Sequence, residues 1–138
     1  MNRSAKYATA VVVAHLLVNI VHGLAHRELS VGLAPLGSIF VIVVVLIFLL
    51  IAMALFWTVE KRLGLILLSL SMFGSLVFGL YHHFLFLGPD HVHPHPLSSS
   101  GITFVLTECL LLVTEAIGTY VGVHFLWFGQ DTLKSDSR

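Results

Sequence analysis

The sequence predicts an all-α fold, an integral membrane four-helix bundle with both termini in the cytoplasm. Its composition is the first observation, because 57% of the 138 residues are hydrophobic and only 10% are charged. A mean hydropathy of +0.98 places the chain among membrane proteins rather than soluble globular ones. The formal net charge is zero with neutral His, so no basic surface predicts a nucleic acid as a partner. The apolar composition instead predicts a lipid bilayer as the surroundings of the chain.

Four apolar segments are the second observation, since each is close to or longer than the roughly 20 residues that span a bilayer. They cover approximately residues 7–25, 39–57, 63–87 and 102–128. Pro35 precedes the second segment, Lys61 and Arg62 precede the third, and Pro89 follows it. We therefore expect one transmembrane domain over residues 1–138, with a His- and Pro-rich loop at 88–101 as its longest connection.

The distribution of basic residues is the third observation. Six of the seven Lys and Arg residues fall on one side of the predicted bundle, namely Arg3, Lys6, Lys61, Arg62, Lys134 and Arg138. Only Arg27 falls on the other side. Because basic residues stay in the cytoplasm, this asymmetry predicts cytoplasmic termini in a plasma or cell inner membrane, with the His-rich loops outside.

A polar stripe interrupts the first apolar segment. His15, Asn19, His22 and His26 fall within about 60° of one another at about 100° per residue, so they share one face of a helix. Unpaired polar groups in lipid cost several kcal/mol each. The stripe must therefore face protein, a cavity or a cofactor, and it indicates where the chemistry of the chain lies.

The second and third segments differ in what they offer. The second is apolar at every position, so we expect it to be the most lipid-exposed helix. In the third, Ser71, Ser75 and Gly79 recur every four residues and predict close approach of a neighbouring helix. His82 and His83 follow this ridge, and only one of two adjacent side chains can point fully inward.

The fourth segment carries Glu108 and Glu115 on one face. Their seven-residue interval, about 10.5 Å along the axis, equals the interval between His15 and His22. The first and fourth helices run in opposite directions, so adjacent packing would bring His22 level with Glu108 and His15 level with Glu115. We expect two polar rungs between these helices.

The interpretation we favour is a transition-metal site formed by His22, His26, Glu108 and one of His82 and His83. Three nitrogen ligands and one oxygen suit Zn²⁺, Fe²⁺ or Cu²⁺. The other stripe residues, His15, Asn19 and Glu115, would form a second rung or support the ligands from behind. The expected function is metal binding in a redox or metal-handling role, with the reaction left open.

Two other interpretations remain open. His22 or His26, with His82 or His83, could be the axial ligands of a b-type haem. Alternatively, the His and Glu residues form only hydrogen-bonded pairs that fix helix register in a non-enzymatic packing subunit of a membrane complex. No motif identifies an electron donor, so a redox role would need a homo-oligomer or a larger membrane complex.

The loop at 88–101 is a second candidate for metal capture. His91, His93 and His95 alternate along it, so an extended chain would place three imidazoles on one side, close to Asp90. A solvated polar turn explains the same residues without a ligand.

Overall fold

A computed structural model describes residues 3–92 and 97–128 of the chain. Helices account for 84% of the described residues, and no strand occurs among them. Four of the helical spans are long and apolar enough to cross a membrane. The prediction of an all-helical fold is therefore confirmed for this part of the chain.

The four spans are α1, Arg3–Glu28; α2, Pro35–Leu55; α3, Lys61–Leu85; and α4, Ser99–Phe128. The helix of α2 widens to π-helical geometry over Val41–Ile47, and α3 does so over Leu80–Leu85. Pro35 lies at the start of α2, where a missing backbone N–H costs nothing. The start of α4 at Ser99 places the last part of the expected 88–101 loop within a helix.

The packing places α4 between α1 and α3, whereas α2 packs mainly on α3. An apolar core closes the end of the bundle near Arg3 and Leu65. It consists of Ala5, Ala8, Val12, Leu49, Ala52, Phe56, Leu65, Leu68 and Met72. The span α2 has the smallest buried share of the four, as its uniformly apolar sequence predicts.

Small residues bring α3 and α4 together. A Cβ added at Gly118 would lie 2.7 Å from Met72 Cγ, and one added at Gly79 would lie 2.9 Å from Glu108 Oε1. On the other side of α3, the Ser71 hydroxyl donates to the Val44 carbonyl oxygen of α2. Of the predicted small-residue ridge, Ser71 thus contacts α2 and Gly79 contacts α4, which leaves α3 fixed between these two helices.

Candidate metal centre

Of the two adjacent histidines of α3, His83 points into the bundle. Its side chain is buried, whereas His82 is half-buried and its ring packs on Phe78 with centroids 4.2 Å apart. The π-helical turn explains the choice, because i to i+5 bonding places more residues in each turn and keeps His83 on the face of Gly79. His82 therefore lies outside the cluster described next.

His22, His26 and His83 come together with Glu108 between α1, α3 and α4. One ring nitrogen from each histidine lies within 4.8 Å of the others. His22 Nε2 is 3.5 Å and His83 Nε2 is 3.3 Å from Glu108 Oε2. His26 Nε2 is 3.1 Å from His22 Nε2. The sequence predicted that His22 lies level with Glu108, and this contact confirms it.

The opposite ring nitrogens identify the tautomers of these histidines. His83 Nδ1 lies 2.7 Å from the Asp90 carbonyl oxygen, which can only accept, so this nitrogen carries the proton. His26 Nδ1 lies 3.2 Å from the Val31 carbonyl oxygen and is assigned in the same way. In both rings the lone pair therefore belongs to Nε2, the atom that faces the cluster.

A threonine fixes the tautomer of His22 through one more bond. The Thr107 hydroxyl donates its single proton to the Thr103 carbonyl oxygen, 2.6 Å away. It consequently accepts from the Nδ1–H of His22 at 2.9 Å. The Nε2 atoms of His22 and His83 face Glu108 Oε2, and that of His26 faces His22 Nε2. These contacts join four acceptor atoms, and a shared proton or a cation must hold them at these distances.

At the deeper level, where His15 was predicted to meet Glu115, its bonded partner is the adjacent residue Thr114. His15 Nδ1 is instead bonded to Thr114 Oγ1 at 3.1 Å, and the Thr114 hydroxyl donates to the Leu111 carbonyl oxygen. His15 Nε2 and Glu115 Oε2 have no hydrogen-bond partner among the described residues. The residue before each glutamate, and not the deeper glutamate itself, pairs with the histidine opposite.

A cavity of about 250 Å³ extends from the cluster into the bundle. Asn19 and Glu115, which the sequence assigned to a supporting role, both line it, whereas His15 does not. The remaining lining residues are His22, Gly23, His26, Val31, Leu33, Ser38, Val41, Val45, Ser75, Phe78, Gly79, His83, Glu108 and Leu111. The polar groups of α1 and α4 therefore meet at one shared space.

The loop after α3 folds back over the cluster. Besides the Asp90 contact, the Val92 N–H donates to the His83 carbonyl oxygen at 3.0 Å. Asp90 is buried, with Oδ1 3.3 Å from His26 Nδ1, and so does not stand on a solvated strand. His91 is half-buried, and His93 and His95 lie outside the described residues. Asp90 therefore orients a cluster histidine, and the loop-capture hypothesis is left with His91 in the described part.

Sequence reasoning missed Thr107 and Thr114. A signal was present, because the dipeptide Thr-Glu occurs at 107–108 and again at 114–115. This seven-residue interval equals that between His15 and His22, so one histidine faces each threonine. The role of Asp90 had no comparable signal, since a backbone carbonyl and a fold of the loop determine it.

No protein-family model, no curated protein and no solved structure matches this chain.

Proposed function

We propose that this chain is a multi-pass membrane protein that binds a transition-metal ion through His22, His26, His83 and Glu108. Its role would be redox chemistry or metal handling. The observation that carries the proposal is that one ring nitrogen of each of the three histidines lies within 4.8 Å of the others, with Glu108 Oε2 within 3.5 Å of His22 Nε2 and His83 Nε2. A divalent cation would satisfy all of these acceptors at once.

Three ligand pairs of the proposed site already have the spacing of a tetrahedral ion site. Metal bonds of about 2.0–2.1 Å to nitrogen and oxygen place tetrahedral ligand atoms about 3.3 Å apart. The contacts His26–His22, His83–Glu108 and His22–Glu108 measure 3.1, 3.3 and 3.5 Å. Binding of one ion by all four residues would bring the remaining pairs to a similar spacing.

The ligand set favours Zn²⁺, Fe²⁺ or Cu²⁺, because imidazole suits these ions and Ca²⁺ and Mg²⁺ prefer oxygen. Each histidine also donates its Nδ1–H to a protein acceptor, an arrangement typical of metal-bound imidazoles. These supporting bonds orient the rings before the ion arrives. They are consistent with a site that binds metal without a large rearrangement.

In the membrane, the proposed orientation has both termini in the cytoplasm and the metal centre toward the outside of a plasma or cell inner membrane. The excess of Lys and Arg at the other end of the bundle supports this orientation. A redox role additionally requires an electron donor, which a second copy of the chain or a larger membrane complex would supply.

The geometry favours an ion over the b-type haem alternative. Glu108 Oε2 lies within 3.5 Å of both His22 Nε2 and His83 Nε2, in the space that a macrocycle between these nitrogens would need. The ring of Phe104 packs against the same histidines, with centroids 4.9 Å from that of His22 and 5.3 Å from that of His83. A haem would have to displace both side chains.

Elemental analysis of the purified protein, together with an absorption spectrum, tests the proposal. We expect about one metal ion per chain and no Soret band. His83→Ala should lose the ion, whereas His82→Ala, a neighbour outside the cluster, should retain it. Equal metal content in both variants would contradict the ligand assignment, and haem lost on His83→Ala would favour the cytochrome.

The packing-subunit alternative predicts a different result for His22→Ala and Glu108→Ala. A purely structural pair would give no stoichiometric metal in the wild-type protein. His22→Ala would lower thermal stability by stranding Glu108, and the double variant would recover part of the loss. Under the metal hypothesis, both single variants lower metal affinity and the double variant does not restore it.

A further inference from the structure

The four proposed metal ligands come from three of the four membrane-spanning helices. His22 and His26 belong to α1, His83 belongs to α3 and Glu108 belongs to α4. The span α2 contributes no ligand, since it contains no His, Cys, Asp or Glu. An ion at the cluster would therefore have no protein ligand on the side that faces α2.

The cavity occupies this side of the cluster. All four proposed ligands line it, and α2 contributes Ser38, Val41 and Val45 to its wall. Its volume of about 250 Å³ exceeds the roughly 150 Å³ that admits benzene. Structural metal sites are closed by protein ligands, whereas catalytic sites keep one coordination position open. The free space beside all four ligands indicates a site with an open position.

The wall of the cavity offers no partner to an anionic ligand. No Lys or Arg occurs among the described residues that line it, and Glu115 adds a further carboxyl group. Burial of an unpaired charge in apolar surroundings is costly. The apolar part of the wall consists of Val31, Leu33, Val41, Val45, Phe78 and Leu111. The cavity therefore favours a neutral ligand.

A count of charges at the metal centre leads to the same conclusion. The assigned tautomers make His22, His26 and His83 neutral. Glu108 contacts two of these rings, and the buried Asp90 has its Oδ1 3.3 Å from His26 Nδ1. Two carboxylates balance one divalent ion, so the loaded centre carries no net charge. A neutral ligand keeps this balance, whereas an anion would leave an excess negative charge among buried groups.

The cavity is accessible from the lipid-facing side of α1. Gly23 lines the cavity and is exposed, and a Cβ added there would have no described atom of a neighbouring element within 4 Å. The side chains of Ile20, Val21 and Leu24 form an exposed apolar surface around this glycine. A ligand that enters beside Gly23 therefore comes from the bilayer and must dissolve in lipid.

The chemistry of the ion narrows the class of ligand. Diatomic molecules such as dioxygen and nitric oxide are neutral, dissolve in lipid and coordinate through one atom, but they bind to ions that can share d electrons with them. Of the three ions that the ligand set favours, Zn²⁺ has no redox chemistry and Cu²⁺ is already oxidised. Fe²⁺ is the reduced ion, and His and carboxylate ligands with an open position are typical of non-haem Fe²⁺ sites.

We propose that the centre holds Fe²⁺ and binds a neutral diatomic molecule of the dioxygen class at the position that faces the cavity. This inference rests on the proposed function, and it names the ion and the ligand of that site. A bond forms between the ion and the molecule, and no bond within the molecule breaks. Val41 borders the space that the ligand occupies, and Gly23 borders its route from the bilayer.

Nitric oxide is the probe that tests the inference, because its complex with non-haem Fe²⁺ has a characteristic EPR signal. The full-length chain in detergent is loaded with Fe²⁺ under argon and titrated with nitric oxide. We expect about one ferrous nitrosyl per bound iron in the wild-type protein, and no signal in His83→Ala, which should lose the ion. Stoichiometric iron without a nitrosyl signal would overturn the inference.

Two pairs of variants locate the bound nitric oxide and its route. Val41→Phe fills the space toward α2 and should weaken nitric oxide binding about tenfold or more. Val43→Phe is its matched control, because Val43 is a half-buried residue of the same helix that does not line the cavity. Gly23→Leu should slow nitric oxide association about tenfold in stopped-flow measurements. Its control is Gly32→Leu, where a Cβ also meets no described neighbour within 4 Å and the residue does not line the cavity. Unchanged affinity in Val41→Phe would refute the position of the ligand, and an unchanged rate in Gly23→Leu would refute the route.

Metal analysis of the same samples separates the two proposals. A protein that binds stoichiometric zinc but no Fe²⁺ would overturn this inference and leave the proposed function intact. A protein that takes up no metal ion would contradict the proposed function itself. Azide, a small anion, should leave the visible absorption bands of the Co²⁺-loaded protein unchanged. A shift of these bands would overturn the assignment of a neutral ligand.

Discussion

Replacement of Thr107 by Val distinguishes the metal-centre hypothesis from the hypothesis of a purely structural pair, and Thr114→Val is its matched control. The change keeps the β-branched shape and removes only the hydroxyl that accepts from His22 Nδ1–H at 2.9 Å. Thr114→Val removes the corresponding acceptor of His15, whose bond measures 3.1 Å. Each variant removes a threonine hydroxyl that accepts a hydrogen bond from a histidine, but only His22 belongs to the cluster.

The expected size of the effect follows from two independent estimates. A buried N–H that loses its acceptor costs about 1–3 kcal/mol, and the His22 side chain is buried. Removal of a residue that supports a metal-bound histidine typically lowers affinity by about 10–100-fold, which corresponds to about 1.4–2.8 kcal/mol. The two ranges coincide. The same hydrogen bond keeps the proton of His22 on Nδ1 and the lone pair on Nε2, so its loss also weakens the ligand that faces the ion.

Competition of the purified protein with a chromophoric chelator for Zn²⁺ measures the affinity, and thermal unfolding measures stability. We expect Thr107→Val to weaken zinc binding about 10–100-fold and Thr114→Val to leave it unchanged. Thr107→Ser, which restores a hydroxyl, should recover most of the affinity. Equal zinc affinity in the two valine variants would refute the role of Thr107 and of His22 behind it.

Three further predictions concern stability and topology. Chelation should destabilise the wild-type protein by about 2.7 kcal/mol relative to metal at 100 times the Kd, and should not affect His83→Ala; thermal unfolding with and without EDTA decides this. Gly118→Ala, which places a Cβ 2.7 Å from Met72 Cγ, should destabilise the protein by about 1–3 kcal/mol in the same assay. Gly74→Ala is its control, since the nearest atom is Phe40 Cζ at 3.7 Å, and should stabilise the helix by about 1 kcal/mol. A reporter fused after Arg138 should be cytoplasmic and one inserted at Ser99 external, and the reverse labelling would contradict the proposed orientation.

The sequence was sufficient to predict the helices and the principal contact of the site. Four apolar stretches of membrane-spanning length leave few alternatives to four helices. The alignment of His22 with Glu108 followed from equal seven-residue intervals on antiparallel helices, because helical rise is regular. Periodicity and rise are properties that a sequence carries directly.

Local departures from the regular helix were beyond this reasoning. The choice of His83 over His82 depends on the π-helical turn at Leu80–Leu85, and regular α-helical angles do not anticipate it. At the deeper level the partner differed from the expected one, because helical rise gives the level of a side chain but not its partner at that level. His15 met the hydroxyl of Thr114 rather than the carboxyl of Glu115.

The two levels of the site form an internal comparison. At each level, a threonine of α4 accepts a hydrogen bond from the Nδ1–H of a histidine of α1. This bond leaves the lone pair of the histidine on Nε2, the ring nitrogen that does not face the threonine. At the His15 level, no second acceptor converges on that lone pair among the described residues. At the His22 level, two further histidines and Glu108 do. A proton bridges only two acceptors, so a structural pair explains the His15 level more readily than a cluster of four. A divalent ion, which contacts four acceptors at once, is the simpler explanation for the His22 level.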